Sequence, residues 1–515
     1  MKLCLINLKY ESGRISNFRR QEHLGLGYIG SMCEREGHKV EIVNAQFEDI
    51  ELEAIILKVK EFAPDIIGIS VYEELINQTV ELVKKVKEIN KEVKVILGGH
   101  YATFNAEELL TKQSEIDFIS VGEGEQSIPN LLNALEKSED IEKVSGFVFK
   151  KENKIVFTGY PTIIDNLDSL PYPKRKTMDR KNCVTNISAS RGCYGQCSFC
   201  STHAFMKCYT KKGIRIRTPQ NVVDELAYLV NSQGAYHFFF TDDNFMMTEI
   251  LNKGWIDEFV KLIKEKDLKI VFNLDCRVND IEFDTFKKLK EAGLIGVFLG
   301  VESNSENTLK LYNKCTTTEQ NVNSVKILNR LRIDYWIGNI MFHPYTHISD
   351  IKDDIDYFEK INYCKYFHYS NPISCLVGKL KIYRGTDLFY RLEKEGKTIH
   401  NGLSCDYEFD DKRVKMLWEF LQRYKKSVER IVELDPIHQI ELANSAQKNE
   451  LSSEIHRLSR KYMNKDFEIF KKAFEYLNGD KDDIISAKLD QLEEESRKSM
   501  QDIYDALKAV CISLN

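Results

Sequence analysis

The sequence contains no long hydrophobic run. A membrane-spanning helix needs about 18 or more consecutive apolar residues, and no stretch of these 515 residues approaches that length. The segment Met1–Asn7 leads directly into a predicted strand and is too short and too polar for a secretory signal peptide. We therefore expect a cytoplasmic protein with no membrane partner.

Neither sign of charge predominates. Lysine and arginine together number 73, aspartate and glutamate 79, and the formal net charge is −6. A nucleic-acid-binding surface requires clustered positive charge. The one local basic run, Lys211–Arg217, is more typical of a solvated or phosphate-facing loop. We therefore expect no nucleic acid partner.

Cysteine is sparse and odd in number, with 13 in the chain, which does not fit the disulfide framework of a small secreted protein. Three cysteines nevertheless share one short loop, since Cys193, Cys197 and Cys200 are spaced C-x-x-x-C-x-x-C. Thiolates are soft ligands suited to iron–sulfur clusters or zinc. Three of them leave one iron of a 4Fe–4S cluster open to a small molecule, whereas a zinc site would take a fourth ligand, His203 or Cys208.

The first part of the chain alternates short apolar strands with amphipathic helices, which predicts a parallel sheet in a doubly wound, Rossmann-like domain. The predicted strands are Leu3–Asn7, Val40–Val43, Ile66–Ser70, Val93–Gly98 and Phe118–Gly122. The predicted helices are Gly27–Glu36, Leu52–Phe62, Asn77–Ile89 and Ala106–Thr111. Ligands of such sheets bind at the carboxyl ends of the strands. The run Gly25–Gly30 matches G-x-G-x-x-G by letter, but it lies too far beyond the first strand for a dinucleotide site.

A hairpin is expected over residues 144–158, with its turn at Glu152 and Asn153, and the prolines that follow it indicate a linker. A second series of strand–helix units then begins. Its predicted strands are Val184–Ser188, Tyr236–Thr241, Ile270–Asp275, Gly296–Gly300, Tyr335–Met341 and Tyr366–Ser370. From about Lys412 the pattern is helical, with runs over Met416–Val432, Glu450–Met463 and Leu489–Ala509.

The cysteine motif, with Phe199 just before its last cysteine, resembles that of the radical S-adenosylmethionine (SAM) enzymes. The loops after the third, fourth and fifth strands resemble the cobalamin-binding domain that precedes the radical SAM domain in one large subfamily. The resemblance implies an α/β fold with four parts. These are a Rossmann-like cobalamin-binding domain over 1–142, a hairpin and linker over 143–182, a partial (β/α)6 radical SAM barrel over 183–400, and a helical C-terminal domain over 401–515.

The same resemblance implies the cofactor contacts. The metal ligands are Cys193, Cys197 and Cys200. The residues that would contact SAM and its cluster are Phe199, Asp242, Asp243, Arg277, Glu302 and Gly338. Contacts to cobalamin fall to Tyr72, Glu73, Gly98, Gly99, His100, Thr103, Gly122 and Glu123. Structural alternatives remain open for four of these residues: helix N-capping for Asp242 and Asp243, a buried salt bridge for Glu302, and pairing with Asp275 for Arg277.

One feature of methionine-synthase-type cobalamin domains, the motif D-x-H-x-x-G with its cobalt-ligating histidine, is missing from the sequence. His38 follows a predicted helix and is interpreted as a surface residue. The resemblance therefore implies that no histidine lies below the cobalt, and that the segment Tyr72–Leu75 meets this lower face.

The resemblance implies a cobalamin-dependent radical SAM methyltransferase acting on an unactivated carbon or phosphorus of a natural-product or peptide intermediate. The reaction would proceed through a 5′-deoxyadenosyl radical and methylcobalamin, with electrons supplied by a flavodoxin or ferredoxin. The alternative is a ring-forming or ring-rearranging enzyme that uses the same cofactors without methyl transfer. A further alternative, a zinc-stabilised cobalamin carrier, would have no catalytic turnover.

Overall fold

The computed structural model describes residues 1–10, 21–178, 180–181, 183–209, 213–366, 377–433, 448–479 and 481–514. Within these ranges, no helix combines the length and the apolar character that crossing a membrane requires. The chain forms two compact units. The first unit comprises residues 1–274, 291–293 and 382–406, and the second comprises residues 275–290, 294–381 and 407–515.

The strands are, in chain order, β1 Lys2–Asn7, β2 Lys39–Asn44, β3 Ile66–Ser70, β4 Lys94–Gly98, β5 Phe118–Ser120, β6 Phe147–Lys151, β7 Lys154–Phe157, β8 Thr185–Ile187, β9 Ser190–Arg191, β10 Arg215–Ile216, β11 His237–Phe240, β12 Val271–Arg277, β13 Leu294–Glu302, β14 Asp334–Asn339, β15 Thr398–Asn401 and β16 Ser404–Tyr407. For the strands that were predicted, the bounds differ from the predicted ones by at most three residues at either end, whereas β9, β10, β15 and β16 were not predicted. The sixth strand expected for the second domain, Tyr366–Ser370, lies outside the described residues from position 367 onward.

The helices are α1 Leu24–Arg35, α2 Ala45–Glu48, α3 Leu52–Phe62, α4 Ile76–Ile89, α5 His100–Phe104, α6 Ala106–Lys112, α7 Gly124–Glu136, α8 Ser201–Tyr209, α9 Pro219–Gln233, α10 Met247–Leu251, α11 Trp255–Glu265, α12 Phe283–Glu291, α13 Glu306–Leu311, α14 Thr318–Leu331, α15 Ile348–Lys360, α16 Tyr363–Tyr366, α17 Asp387–Lys394, α18 Lys412–Glu433, α19 Lys448–Gly479 and α20 Asp482–Leu514.

The first sheet has the strand order β2-β1-β3-β4-β5-β6-β7, in which β1 to β5 run parallel. All five residues of β3 are buried, as expected for a strand covered by helices on both faces. β2 lies on one side of β1, and β3, the next strand in the chain, lies on the other side of β1. The point where the strand order reverses therefore lies between β1 and β3, which is where doubly wound sheets bind ligands.

The predicted hairpin is confirmed, with its turn at Glu152 and Asn153, whose φ angles of 48° and 62° are those of a type I′ turn. Sequence reasoning did not foresee that β6 pairs antiparallel with β5, so that the hairpin extends the first sheet. In the rest of the first unit, β11 lies between β8 and β12 with parallel pairing.

In the second unit, β13 pairs parallel with β14. The long helices α18, α19 and α20 pack on one another, and their contacting faces carry buried apolar residues such as Leu417, Leu458 and Leu492. The predicted helical C-terminal region is therefore confirmed, and its helices are longer than the sequence pattern indicated. The β15–β16 hairpin was not predicted, because its short strands are polar and only partly buried.

Candidate active site

A cavity of about 590 Å³ lies at the carboxyl ends of β3, β4 and β5, within the first unit. Five glycines form much of its floor: Gly68, Gly98, Gly99, Gly122 and Gly124. A Cβ atom built on Gly98 would lie 3.7 Å from the Cβ of Ser120, so the backbone itself leaves room beside β4. Such a floor allows close approach of a large flat ligand. We call this space the main cavity.

Most of the residues predicted to contact cobalamin line the main cavity. They are Tyr72, Glu73, Gly98, Gly99, His100, Gly122 and Glu123. Thr103 does not line it, and its Oγ1 instead accepts a hydrogen bond of 3.3 Å from the backbone N–H of Gly122. Thr103 therefore positions the loop after β5. Contact of these residues with cobalamin stays a prediction.

Glu123 is engaged by arginines. Its carboxylate accepts a hydrogen bond of 2.9 Å from Arg215 and lies 3.3 Å from Arg191. Burial opposes ionisation, but the hydrogen bonds from Arg215 and the charge of Arg191 lower the pKa of Glu123. Arg215 and Arg217 are both buried. The interpretation of the basic run as a solvated or phosphate-facing loop is therefore wrong for these two arginines, which form buried ion pairs with Glu123 and Glu225.

Two neutral histidines border the main cavity. His100 begins α5, stacks on Phe205 at 4.1 Å between ring centroids and lies 3.3 Å from the hydroxyl of Ser201. His23 precedes α1, and its Nδ1 accepts a hydrogen bond from the backbone N–H of Leu26. Burial lowers the pKa of each histidine to about 4, so both rings are uncharged at pH 7.

Sequence reasoning missed His23. Because its Nδ1 accepts a hydrogen bond, its Nε2 carries the proton and donates to the Oγ of Ser70 at 2.9 Å. The hydroxyl of Tyr72 lies 3.2 Å from the same nitrogen. The one available signal was the position of His23 directly before the helix of the Gly25–Gly30 run. That run lies in α1, where a Cβ on Gly27 would meet Pro173 and Lys174 at 2.9 Å, so the glycine serves helix packing.

His38 is another correction. It is 5% exposed, and its Nδ1 lies 3.3 Å from the amino group of Met1. Its interpretation as a surface residue is wrong, because the start of β2 brings it beside the amino terminus at β1. It does not line the main cavity.

The cysteine loop, residues 193–200, connects β9 to α8. Cys197 is buried, whereas Cys193 and Cys200 are partly exposed. Asp243 ties the two ends of the loop together, because it accepts hydrogen bonds from the N–H of Gly192 at 3.1 Å and from the hydroxyl of Thr202 at 2.9 Å. The loop is therefore held as a unit by a carboxylate at the end of β11.

Asp242 secures the strand that leads into this loop. Its carboxylate accepts hydrogen bonds from the N–H of Ala189 at 3.1 Å and from the hydroxyl of Ser190. It is 1% exposed, and burial raises its pKa to about 6. Asp243 lines the main cavity and Asp242 does not. Their contacts to SAM stay predictions, as does that of Phe199, which is partly buried and does not line the cavity.

The zinc alternative gains no support. Over the ranges that the structure describes, no three His, Cys, Asp or Glu side chains gather around one point as a single metal ion requires. The thiol of Cys208 instead hydrogen-bonds Tyr160. A 4Fe–4S cluster binds each thiolate through a different iron, so it does not require the three sulfurs to meet at one point. The spacing of three thiols in one anchored loop fits the cluster.

The other predicted SAM contacts belong to the second unit. Glu302 has a φ of 66° and pairs with the buried Lys314 at 2.9 Å. Arg277 donates hydrogen bonds to the carbonyl oxygen of Lys314 and to Asn279. A Cβ on Gly338 would lie 2.7 Å from the ring of Phe298. The salt-bridge alternative for Glu302 is thus present in the structure, and SAM contacts by these residues stay predictions.

A buried carboxylate network supports the segment after β13. Asp354 accepts hydrogen bonds from the hydroxyl of Ser303 at 3.1 Å and from the N–H of Asn304. Burial, opposed by these hydrogen bonds and reinforced by Asp350 and Asp353, raises its pKa to about 7. The unfolded carboxyl releases its proton near 3.8, so the contribution of Asp354 to stability is full below pH 4 and is lost as the pH rises to 7.

We expect Asp354→Asn to raise the melting temperature at pH 8 and to change it little at pH 4, because the amide keeps the hydrogen bonds without a buried charge. Thermal unfolding at both pH values measures this. Asp356→Asn on the exposed side of α15, where Asp356 pairs with Lys352, is the matched control. If the melting temperature of Asp354→Asn followed the same pH dependence as that of the unmodified protein, the raised pKa assigned to Asp354 would be wrong.

Two family models match the chain. That of the B12 binding domain matches residues 20–132, and that of the radical SAM superfamily matches residues 187–358. Each matched segment contains one side of the main cavity. The first holds the strand-end loops and the second holds the cysteine loop with Asp243.

Curated relatives and a solved structure agree with these matches. An uncharacterized methyltransferase of Pyrococcus horikoshii is 28% identical over 66% of this chain and 73% of its own. The anaerobic magnesium-protoporphyrin IX monomethyl ester cyclase of Rubrivivax gelatinosus is 30% identical over 64% of this chain and 60% of its own. The cobalamin-dependent SAM radical enzyme OxsB with aqua-cobalamin bound has a similar fold, with a TM-score of 0.74 at 19% identity, covering 99% of this chain and 80% of that one.

Proposed function

We propose that this chain, which belongs to the cobalamin-dependent radical SAM enzymes, transfers a methyl group to an unactivated carbon or phosphorus of a small molecule. Its cofactors are cobalamin, SAM and a 4Fe–4S cluster. When bound, they supply a 5′-deoxyadenosyl radical, which removes hydrogen from a carbon that acid–base residues cannot deprotonate, and a transferable methyl group.

One observation supports a joint site above all others. A single cavity is lined both by the strand-end loops of the B12-binding domain and by Gly192, Ser201, Thr202 and Asp243 around the cysteine loop. A radical must meet its reaction partner without contact with water. The position of both sets of residues around one cavity supports chemistry that uses the two cofactors together.

The residues of the chain have separate tasks in this proposal. Cys193, Cys197 and Cys200 hold the cluster, and Asp242 and Asp243 fix the loop that carries them. The strand-end glycines leave room for the corrin ring. His23 and His100 border it as neutral groups, so they add no charge beside the cofactor. The electron donor is proposed to be a flavodoxin or ferredoxin, and the substrate a natural-product or peptide intermediate.

A second candidate function is formation or rearrangement of a ring with the same cofactors. It is favoured by the similarity to the cyclase of Rubrivivax gelatinosus, of which the matched segment spans 60%. The two candidates differ in what they make from SAM. Methyl transfer releases S-adenosylhomocysteine, whereas cyclisation needs only the reductive cleavage that gives 5′-deoxyadenosine and methionine.

The test is to reduce the reconstituted protein anaerobically, add SAM and quantify both nucleoside products by liquid chromatography and mass spectrometry. A methyltransferase is expected to release S-adenosylhomocysteine in an amount comparable with the bound cobalamin, even without substrate. The same protein loaded with cobinamide, which is cobalamin without its nucleotide tail, shows whether that tail is needed for release of S-adenosylhomocysteine. Release of 5′-deoxyadenosine alone would contradict methyl transfer and favour the second candidate.

A further inference from the structure

A second cluster of chemically reactive side chains lies on the β15–β16 hairpin and on α17, within the first unit. The Sγ of Cys405 lies 3.2 Å from the Nδ1 of His400. The Nε2 of the same ring lies 2.9 Å from the carboxylate of Glu393. None of the three was singled out from the sequence. Their proximity arises only in the fold, where β15 and β16 pair with each other.

This order of groups is that of a nucleophile, a base and a residue that orients the base. The carboxylate of Glu393 accepts a hydrogen bond from the N–H at Nε2 of His400, which leaves Nδ1 as an acceptor facing the thiol. Thr398 also donates a hydrogen bond to Glu393, and this bond is the main reason that the pKa of Glu393 is lowered. Glu393 is therefore ionised at neutral pH and keeps the ring in one orientation.

The thiol needs that base in order to react. Burial, and then the charge of Glu73, raise the pKa of Cys405 to about 11. At neutral pH a thiol of this kind forms roughly 300-fold less thiolate than an ordinary cysteine, whose pKa is about 8.5. A neighbouring imidazole that takes the thiol proton during the reaction allows the sulfur to react although little free thiolate is present, as it does for hydroxyl nucleophiles.

We propose that Cys405, His400 and Glu393 form a base-assisted thiol site that reacts covalently with small, uncharged soft electrophiles. In the reaction, the proton of the thiol passes to Nδ1 of His400. The sulfur forms a bond to the electrophilic carbon, and the leaving group departs with its bonding electrons. The site is distinct from the cysteine loop and does not depend on the proposed methyl transfer.

The surroundings set the charge preference. Glu73, Glu108 and Glu393 face the thiol as negative groups, and Arg384 is the positive group among its neighbours. Arg384 pairs with Glu108 at 2.9 Å, so carboxylate charge remains in excess. Uncharged electrophiles are therefore favoured over anionic ones.

The site also lies at the edge of the main cavity. The backbone N–H of Cys405 donates a hydrogen bond of 3.1 Å to Glu73, and the hydroxyl of Tyr101 donates to the carbonyl of Leu403. Glu73 and Tyr101 line both the main cavity and the small cleft beside Cys405. An adduct on the sulfur would therefore lie beside residues of the main cavity.

The experiment measures alkylation rates by peptide mass spectrometry on the holoprotein, with its cluster intact, treated with iodoacetamide or iodoacetate at neutral pH. Cys315 is the internal reference, because it is exposed and its rate corrects for the reagent concentration and pH of every sample. Cys405→Ser identifies the modified peptide. His400→Gln removes the base, and Glu393→Gln keeps the shape of the orienting residue without its charge.

Cys405 is expected to react with iodoacetamide faster than Cys315 and to show a lower relative rate with iodoacetate. His400→Gln is expected to reduce the rate at Cys405 about 100-fold, with the rate at Cys315 unchanged, and Glu393→Gln to reduce it by a smaller factor. If Cys405 reacts more slowly than Cys315, or at the same rate in His400→Gln, the thiol is a structural group and the proposal is wrong.

Discussion

Cys197→Ala is expected to abolish formation of 5′-deoxyadenosine and to lower the iron content of the anaerobically reconstituted protein to near background. Cys197 is the most buried of the three motif cysteines, and its carbonyl accepts a hydrogen bond of 3.1 Å from the N–H of Cys200. Loss of its thiolate leaves only two cluster ligands, too few for a cluster with one open iron. Product analysis together with iron determination measures the effect.

Cobalamin retention is expected to be unchanged in this variant, because the strand-end glycines of β3 to β5 are intact. Cys208→Ala is the matched control. Cys208 lies on α8, the helix that follows the loop, and its thiol is hydrogen-bonded to Tyr160. If Cys197→Ala kept its full iron content and still cleaved SAM, the assignment of residues 193–200 as the cluster-binding loop would be wrong. Equal loss in Cys208→Ala would restore the four-ligand alternative.

Gly98→Leu is expected to abolish retention of cobalamin while the protein stays folded. The Cβ at this position has ordinary contact with Ser120, so β4 accommodates a side chain. The remaining carbon atoms would occupy the floor of the main cavity, where the corrin ring has to lie. Cobalamin retained after desalting, measured from the visible spectrum, gives the readout, and we expect a loss of at least about 100-fold in affinity, equivalent to about 2.7 kcal/mol.

Gly37→Ala serves as the control for general destabilisation. Gly37 has a φ of 91° and no heavy atom within 4 Å of an added Cβ, so alanine strains the backbone at a cost of about 1 to 2 kcal/mol without touching the cavity. This variant is expected to bind cobalamin normally. If Gly98→Leu also binds normally, cobalamin lies elsewhere.

The sequence was sufficient where a function depends on local spacing or on period. The C-x-x-x-C-x-x-C motif predicts the cluster loop, and the short apolar strands predicted β1 to β5, with a ligand site at their carboxyl ends. The turn at Glu152 and Asn153 was predictable because Asn153 tolerates a left-handed backbone angle between two strand-like segments. These features are contained within short segments.

Features that depend on tertiary contacts were not predictable. The pairing of Arg215 with Glu123 joins residues 92 positions apart. The sequence placed Arg215 in a basic run and Glu123 in a cobalamin-binding loop, and nothing in either segment indicated the other. His38 is buried where β1 and β2 are neighbours, beside the amino group of Met1. The triad of Cys405, His400 and Glu393 depends on a hairpin of polar strands, which carries no hydrophobic alternation by which the sequence would reveal it.

The most direct test of the account is a joint determination of iron, zinc and cobalamin in protein reconstituted anaerobically with iron, sulfide and hydroxocobalamin and then desalted. We expect about four irons and about one cobalamin per chain, with the iron alone lost in Cys197→Ala and the cobalamin alone lost in Gly98→Leu. Zinc in place of iron, or iron without cobalamin, would contradict the claim that one cavity serves both cofactors.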